Sequence, residues 1–315
     1  MRSDVGRNSV APILVTGAHR SGTTWVGKML AASPKVGYIS EPLNIWHRPG
    51  VLRAPVKHWY TYICEENEDQ FLLALMETIR FRYHMLAEIY SLRSVKDFLR
   101  MGRDARTFLT GWVRKQRPLL KDPFAVFSAP WFSERLGCAV VITVRHPAAF
   151  TSSLMRLSWH FDLKHLLDQP LLMRDWLEPF RGEMETVLQR PDNLIEQSCL
   201  LWKMIYTVVG EYKSQEPEFQ IVRHEDLSLN PRGEFEKLCS ALEIHASPAM
   251  IETILKSSSP HNPKEVSKKS IYSVQVDSRA NLNNWKRRLK PEEIDRIRNL
   301  TSDVAALYYS DEDWE

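Results

Sequence analysis

The sequence predicts an α/β fold, a central parallel sheet flanked by helices, and three observations lead there. A short apolar run from Ile13 to Val15 is followed by a glycine-containing turn and then by a helical stretch from Thr23 to Ala32. Ala139-Val-Val-Ile-Thr-Val144 is apolar almost throughout and rich in β-branched residues, as befits a strand covered on both faces. Segments of helical periodicity alternate with such runs along the chain, the pattern of parallel strands joined by helical crossovers. A chain of 315 residues can bury the core of one large α/β domain, so residues 1–315 are read as a single unit.

Bulk properties narrow the function classes. Formal net charge is only +3, so the field of the whole molecule is weak and a general nucleic-acid binder is not expected. Cys64, Cys138, Cys199 and Cys239 are isolated and share no metal-ligand spacing, which suits buried thiols in a reducing compartment. Met1 to Ala11 holds no apolar run of signal-peptide length, and no transmembrane stretch of about eighteen apolar residues occurs. A cytoplasmic location is therefore expected, with loose attachment to a membrane surface left open.

The first strand and its turn carry the most chemistry. In Gly17-Ala-His-Arg20-Ser21-Gly22-Thr23-Thr24-Trp25 the two glycines have the spacing of a Walker A loop, but Thr23 stands where that motif needs Lys. A strand-loop-helix turn aims backbone N–H groups and a helix N-terminus at one point, an anion site that is P-loop-like in outline. Here the cation inside the loop is Arg20, with the hydroxyls of Ser21, Thr23 and Thr24 around it. This suits a phosphate-ester-like group better than a Mg²⁺-bound triphosphate.

The remaining elements follow in order. Residues 1–10 are polar and read as a tail. Val36 to Tyr38 reads as a short strand ending at Ile39-Ser-Glu41-Pro42. Residues 43–117 begin with a loop bearing Trp46, His47, Arg48, Arg53, Lys57, His58 and Trp59, and continue with helical periodicity over 68–90 and 95–115. This span is read as a helical cap inserted between early strands. Leu119-Leu-Lys121 reads as a strand closed by a cation, and Phe127 to Leu136 as a helix. The buried strand 139–144 ends in Arg145-His-Pro147, where a nucleoside-triphosphate enzyme would tend to place an Asp for Mg²⁺. Ser153 follows eight positions after Arg145 on an expected helix, and an Arg with a helix-borne hydroxyl can clamp a phosphate.

Residues 161–192 show no clear pattern. Asn193 to Tyr212 is an expected helix, Phe219 to Arg223 a strand, and His224-Glu225-Asp226 a turn, with Glu225 and Asp226 in structural roles. Amphipathic helices are expected near 232–243 and 247–256. Residues 257–286 form a polar segment with Lys264, Lys268 and Lys269, read as a lid over a cofactor. Pro291 opens a closing helix that reaches Tyr308. No internal repeat is present.

Arg20-Ser-Gly-Thr-Thr-Trp25 resembles the 5′-phosphosulfate loop of sulfotransferases that use 3′-phosphoadenosine 5′-phosphosulfate (PAPS), with Arg20 at the family's usual Lys. Arg145 with Ser153 resembles that family's 3′-phosphate motif. An ATP pocket has no 3′-phosphate to hold, so the two motifs together discriminate. Arg279, a few residues before Trp285-Lys286, resembles the family's C-terminal nucleotide loop, although Ala280-Asn281 replaces its usual Lys-Gly.

The resemblance implies transfer of a sulfuryl group from PAPS to an acceptor hydroxyl, such as one on a saccharide or glycolipid, without a metal and with adenosine 3′,5′-bisphosphate released. It implies Glu41 as general base, His146, His160 and His224 as rivals, and Arg20 and Lys121 as the cations facing the sulfuryl group. It implies donor contacts from Arg20, Ser21, Gly22, Thr23, Thr24, Trp25, Arg145, Ser153 and Arg279. The alternatives are a kinase with a degenerate Walker loop and a nucleotide-binding protein without catalysis.

Overall fold

A computed structural model describes residues 10–46, 48–265 and 274–315. The N-terminal tail up to residue 9, His47, Lys268 and Lys269 lie outside them. Five parallel strands form one sheet in the order β2-β3-β1-β4-β5. They are β1 (Ile13–Gly17), β2 (Val36–Ser40), β3 (Arg117–Lys121), β4 (Ala139–Val144) and β5 (Gln220–Arg223). All five lie where the sequence places strands, to within two residues.

The central pair explains the apolar runs. Every residue of β1 is buried, and in register Ile13 faces Leu119 and Ala139 while Val15 faces Lys121 and Val141. Side chains alternate between two cores. Leu14, Ile39, Leu120 and Ile142 enter one, and Ile13, Val15, Leu119 and Val141 the other. Burial of each such side chain contributes about 1.5–3 kcal/mol against leaving it in water.

Helices cover both faces. α1 (Thr23–Leu30) joins β1 to β2; α2 (Leu72–Ile79), α3 (Met85–Ser91) and α4 (Val95–Val113) lie between β2 and β3; α5 (Ala129–Leu136) precedes β4. The helical periodicity over 68–90 does not form one helix. The chain breaks after α2, where Phe81 takes a positive φ of 57° and drives its ring between β2 and α4. A Cβ on Gly37 or Gly111 would come within 2.5 Å of that ring, so both positions need glycine.

α6 (Pro147–Leu157) follows β4, and the patternless stretch 161–192 holds the short α7 (Lys164–Leu167) and α8 (Pro170–Leu172), a π-turn at Met173–Leu177, and α9 (Arg181–Leu188). α10 (Leu194–Gln215) packs against α6 and against α16 (Pro291–Ala305). After β5 come α11 (His224–Leu229), α12 (Pro231–Ala241), α13 (Pro248–Ser257), α14 (Ser278–Leu282) and α15 (Asn284–Arg288). The expected turn at 224–226 is thus the first turn of a helix.

Because all strands are parallel, their C-terminal ends share one edge. Arg20 follows β1, Glu41 follows β2, Lys121 closes β3 and Arg145 follows β4. Four groups from distant stretches are delivered to one place by topology alone.

Candidate active site

The turn after β1 is built on two glycines. Gly17 has φ +137°, and a Cβ there would lie 2.5 Å from the Thr143 carbonyl oxygen. Gly22 has φ +103° and lies so close to His224 that a Cβ would meet Nδ1 at 2.6 Å. Gly22 also occupies the N-cap of α1 without a side-chain cap, so the first N–H groups of that helix face outward from the turn. Arg20 between them is held in the left-handed region, φ 68°, an unfavourable conformation for a non-glycine residue that the surrounding bonds maintain.

Those bonds link the turn to β4 and α6. Arg20 donates from Nε to Ser153 Oγ at 3.2 Å, and Arg145 donates from Nη1 to the Arg20 carbonyl at 2.8 Å. The Arg145 carbonyl accepts in turn from the Trp202 indole N–H at 2.8 Å. Burial lowers the pKa of Arg145, opposed by the Glu225 carboxylate and assisted by Arg288. Its buried Nε has no partner among the described residues, a donor left over in a cluster of positive charge.

Glu41 also has a positive φ, 49°, and its N–H donates to the Lys121 carbonyl at 2.8 Å. The Lys121 ammonium, almost wholly buried, pairs with Glu41 Oε1, and Asn44 Nδ2 donates to Glu41 Oε2 at 2.8 Å. Next in sequence, Asp122 accepts from the N–H groups of Leu43 at 2.5 Å and Phe124 at 3.0 Å, tying the Glu41 loop to β3. Burial pushes its pKa up to about 7 despite these bonds.

These groups open on a cavity of about 540 Å³ with two unlike halves. One half is cationic, with Arg20, Arg145, Arg156 and Arg288 on its wall. Glu265 lies between Arg156 and Arg288, at 3.6 and 2.8 Å. The other half is aromatic, with His19, Trp46, Trp59, Phe124, Trp159 and Phe161, and Glu41 with Asn44 on the wall beside it. Tyr60 backs this wall. Its hydroxyl accepts from the His19 backbone N–H at 3.2 Å and lies 2.7 Å from His19 Nδ1. Burial, and then the charge of Arg20, lower the His19 pKa to about 4, so the ring is neutral at pH 7.

Arg20, Gly22, Thr23, Thr24, Trp25, Glu41, Arg145 and Ser153 therefore line one cavity, as the motifs led one to expect of neighbours. Lys121 stands behind Glu41. Two expected donor contacts are not brought there. The hydroxyl of Ser21 turns inward, to the Ala18 carbonyl at 2.5 Å and Thr143 Oγ1 at 2.6 Å, and its N–H also bonds Ala18. Arg279 is exposed and donates to the Leu229 carbonyl at 2.9 Å. The Asp277 side chain caps α14 at the Ala280 N–H, and Ser278 is buried on the Ser228 carbonyl; that register turns Arg279 outward. Arg288 and Arg156 reach the cavity instead. Of the lid segment, the described residues Ser257, Val274, Val276, Ser278 and Asn281 line it. Among the described residues of the 43–117 span only Asn44, Trp46 and Trp59 do; α4 packs along β2.

The rival histidines separate cleanly. His146 lies outside the cavity, packed on Trp285, Tyr309 and Trp314, and burial lowers its pKa to about 3. His224 lies against Gly22 on the cavity wall, lowered to about 3 by burial and Arg145. His160 is at the rim with Nδ1 3.2 Å from the Pro191 carbonyl oxygen. Sequence reading missed His19, Arg156, Arg288 and the part of the aromatic wall that Phe124, Trp159 and Phe161 supply, whereas Trp46 and Trp59 belong to the loop it singled out. Arg156 did leave a signal, since it lies one helical turn beyond Ser153.

A glycine turn on the first strand of a parallel sheet, cations at successive strand ends and a carboxylate beside them define a P-loop-like transferase. The chain matches the model of the sulfotransferase family over residues 12–248, three quarters of its length, and belongs to that family. It is similar in fold to the sulfotransferase domain of the curacin biosynthetic pathway, at 16% identity and TM-score 0.46, covering 94% of this chain and 99% of that one. A sulfotransferase domain of the Synechococcus PCC 7002 olefin synthase matches at 16% identity and TM-score 0.43, covering 98% of both chains. A sulfotransferase from Alicyclobacillus acidocaldarius matches at 13% identity and TM-score 0.42, covering 98% and 99%. No curated protein matches the sequence.

Proposed function

We propose that the protein moves a sulfuryl group from PAPS to a hydroxyl of a neutral, ring-bearing acceptor such as a saccharide, leaving adenosine 3′,5′-bisphosphate. The observation that carries this reading is the meeting of the Arg20 turn and the Arg145–Ser153 pair in one cavity, with Glu41 and Lys121 on its wall. The residues present fit the donor. The buried Nε of Arg145, without a partner among the described residues, is a donor awaiting an anion, and the uncapped N-terminus of α1 at Gly22 offers backbone N–H groups to a phosphate. A volume of about 540 Å³ falls within the range of roughly 300–1,000 Å³ usual for such sites.

In this reading Arg20, Thr23, Thr24 and the α1 N-terminus hold the 5′-phosphosulfate, while Arg145 and Ser153, with Arg156 and Arg288 behind them, hold the 3′-phosphate. When bound, PAPS supplies the sulfuryl group and a bisphosphate leaving group. Glu41 takes the proton of the acceptor hydroxyl, held in place by Lys121 and Asn44. Arg20 and Lys121 offset negative charge as it develops, from positions fixed by the fold before substrate arrives. The aromatic half supports a neutral acceptor, because rings stack on Trp46 and Trp59 and no cation lines that wall among the described residues except Arg20 at its boundary. Among the described residues no group of His, Cys, Asp and Glu could hold a metal ion.

Radiolabelled PAPS incubated with the protein and a panel of sugar, glycolipid and phenolic acceptors tests this. Label is expected on a hydroxyl acceptor, with bisphosphate released in equal amount. Tight bisphosphate binding with no transfer to any acceptor would make the protein a non-catalytic binder, and tight Mg²⁺-ATP binding would make it a kinase.

A further inference from the structure

Away from the cavity, α3 and α4 expose an apolar face of a size that surface helices seldom leave open. Among the exposed large hydrophobic side chains are Leu86 and Tyr90 on α3 and Val95, Phe98, Leu99, Leu109, Trp112 and Val113 on α4, with Tyr90 89% and Val95 77% exposed. On α4 these fall at one helical spacing, while only Met101, Phe108 and Gly111 are buried, on the side that packs on the sheet. At 100° per residue the exposed apolar positions span an arc of about 140°. Lys96, Arg100, Arg103 and Arg114 form a row along one border of that arc, all of them exposed.

Charge distinguishes this face from the rest of the molecule. Residues 80–117 carry ten Lys and Arg against three Asp and Glu, net +7, so the remainder of this +3 chain is net −4. The three carboxylates, Glu88, Asp97 and Asp104, all turn towards Arg48. The face itself is therefore cationic and apolar, with no acidic group pointing from it to solvent.

We propose that the α3–α4 face docks on an anionic membrane surface. The apolar arc enters the headgroup boundary and the row of cations meets the lipid phosphates, the division of labour of an interfacial helix. A second copy of the chain would fit worse, because a twofold contact sets this net +7 segment against itself. Among the described residues no helix is long and apolar enough to cross a membrane. The inference does not depend on the donor or the acceptor proposed above, and its test needs neither.

The full chain is mixed with vesicles of phosphatidylcholine containing phosphatidylglycerol, or of phosphatidylcholine alone, and binding is read by flotation. Binding to the anionic vesicles is expected to exceed that to neutral ones about tenfold or more and to weaken with salt. Paired changes Leu109→Ser with Trp112→Ser, and separately Lys96→Glu with Arg100→Glu, should each cut binding about tenfold or more without shifting the thermal melting point, because all four residues are exposed. Absence of binding to anionic vesicles overturns the proposal. So does an effect of the apolar pair with none of the charged pair, or a solution dimer, seen by light scattering, that the apolar pair dissociates.

Discussion

The two halves of the cavity are made in different ways. On the cationic side the two charges at the strand ends are anchored to the frame: Arg20 on Ser153, Arg145 on the Arg20 carbonyl, and the Arg145 carbonyl on buried Trp202. On the aromatic side, Trp46, Trp59, Trp159 and Phe161 come from loops and touch through rings, Trp46 with Trp59 at 5.3 Å and Trp59 with Phe124 at 4.3 Å. Charge stabilisation falls off with small errors in position, so it requires strand ends; recognition of a neutral ring tolerates a surface that shifts. Damage to the first half should therefore appear in kcat and damage to the second in KM.

Glu41 stands at the junction, and the largest effect is expected there. Glu41→Gln keeps the shape and the Asn44 contact but cannot accept a proton, so kcat should fall about 10²- to 10⁴-fold with bisphosphate affinity retained. A variant with undiminished turnover would pass the base role to another group, His19 and His224 being neutral candidates on the wall. Arg20→Ala comes next, with kcat expected to drop about 10²- to 10³-fold, as when one preorganised charge donor is removed. Steady-state rates for both variants, with circular dichroism to show intact folding, decide whether the strand-end half is the catalytic one.

The contrast sharpens at Trp46, which is 79% exposed at the rim and supports no core. Trp46→Ala should raise KM for the acceptor about three- to tenfold, the worth of one aromatic stacking contact, and leave kcat and bisphosphate affinity alone. Loss of kcat here would erase the distinction between the halves, because an exposed ring would then be positioning the reacting groups.

The same difference in construction decides what could be read from the chain. A charge that ends an apolar run stands out, so Glu41, Lys121 and Arg145 were legible, and parallel topology then placed them together. Arg20 was legible because a turn with two glycines has few structural reasons to carry a cation. The aromatic wall was legible only at Trp46 and Trp59: His19 meets Tyr60 across 41 residues, and the contact of Trp59 with Phe124 spans a crossover. No local pattern records such pairs. The choice between Arg279 and Arg288 was equally hidden, since both lie in one cation-rich stretch and a single cap at Asp277 sets which faces inward. The break after α2 escaped notice for a related reason. The apolar periodicity runs from Ile79 to Tyr83 across Phe81 as if the helix continued, and only the paired glycines 37 and 111, far apart in sequence, make a slot for the Phe81 ring.

The smallest expected effect lies beneath the cationic half and measures how dry its support is. His146 is 2% exposed, neither ring nitrogen has a hydrogen-bond partner among the described residues, and burial lowers its pKa from 6.5 to about 3. Between those two values the unfolded chain takes up a proton that the native protein refuses. The contribution to stability is thus complete above pH 6.5 and is lost progressively as pH falls towards 3. Asp122 acts in the opposite sense, because its native pKa of about 7 exceeds the ordinary 3.8 and its share of stability is lost as pH rises through that window. The wild-type profile alone mixes the two, so the informative quantity is a difference. His146→Phe keeps a flat ring against Trp285 and Trp314 and removes the proton uptake. Measured by urea unfolding, the stability of this variant relative to wild type should rise as pH falls below 6.5, by up to about 1.4 kcal/mol for each pH unit. A difference that stays constant from pH 7 to 4 would mean that His146 titrates as it does in water. Water would then reach the backbone that carries Arg145, and the rigidity assigned to the cationic half would need another source.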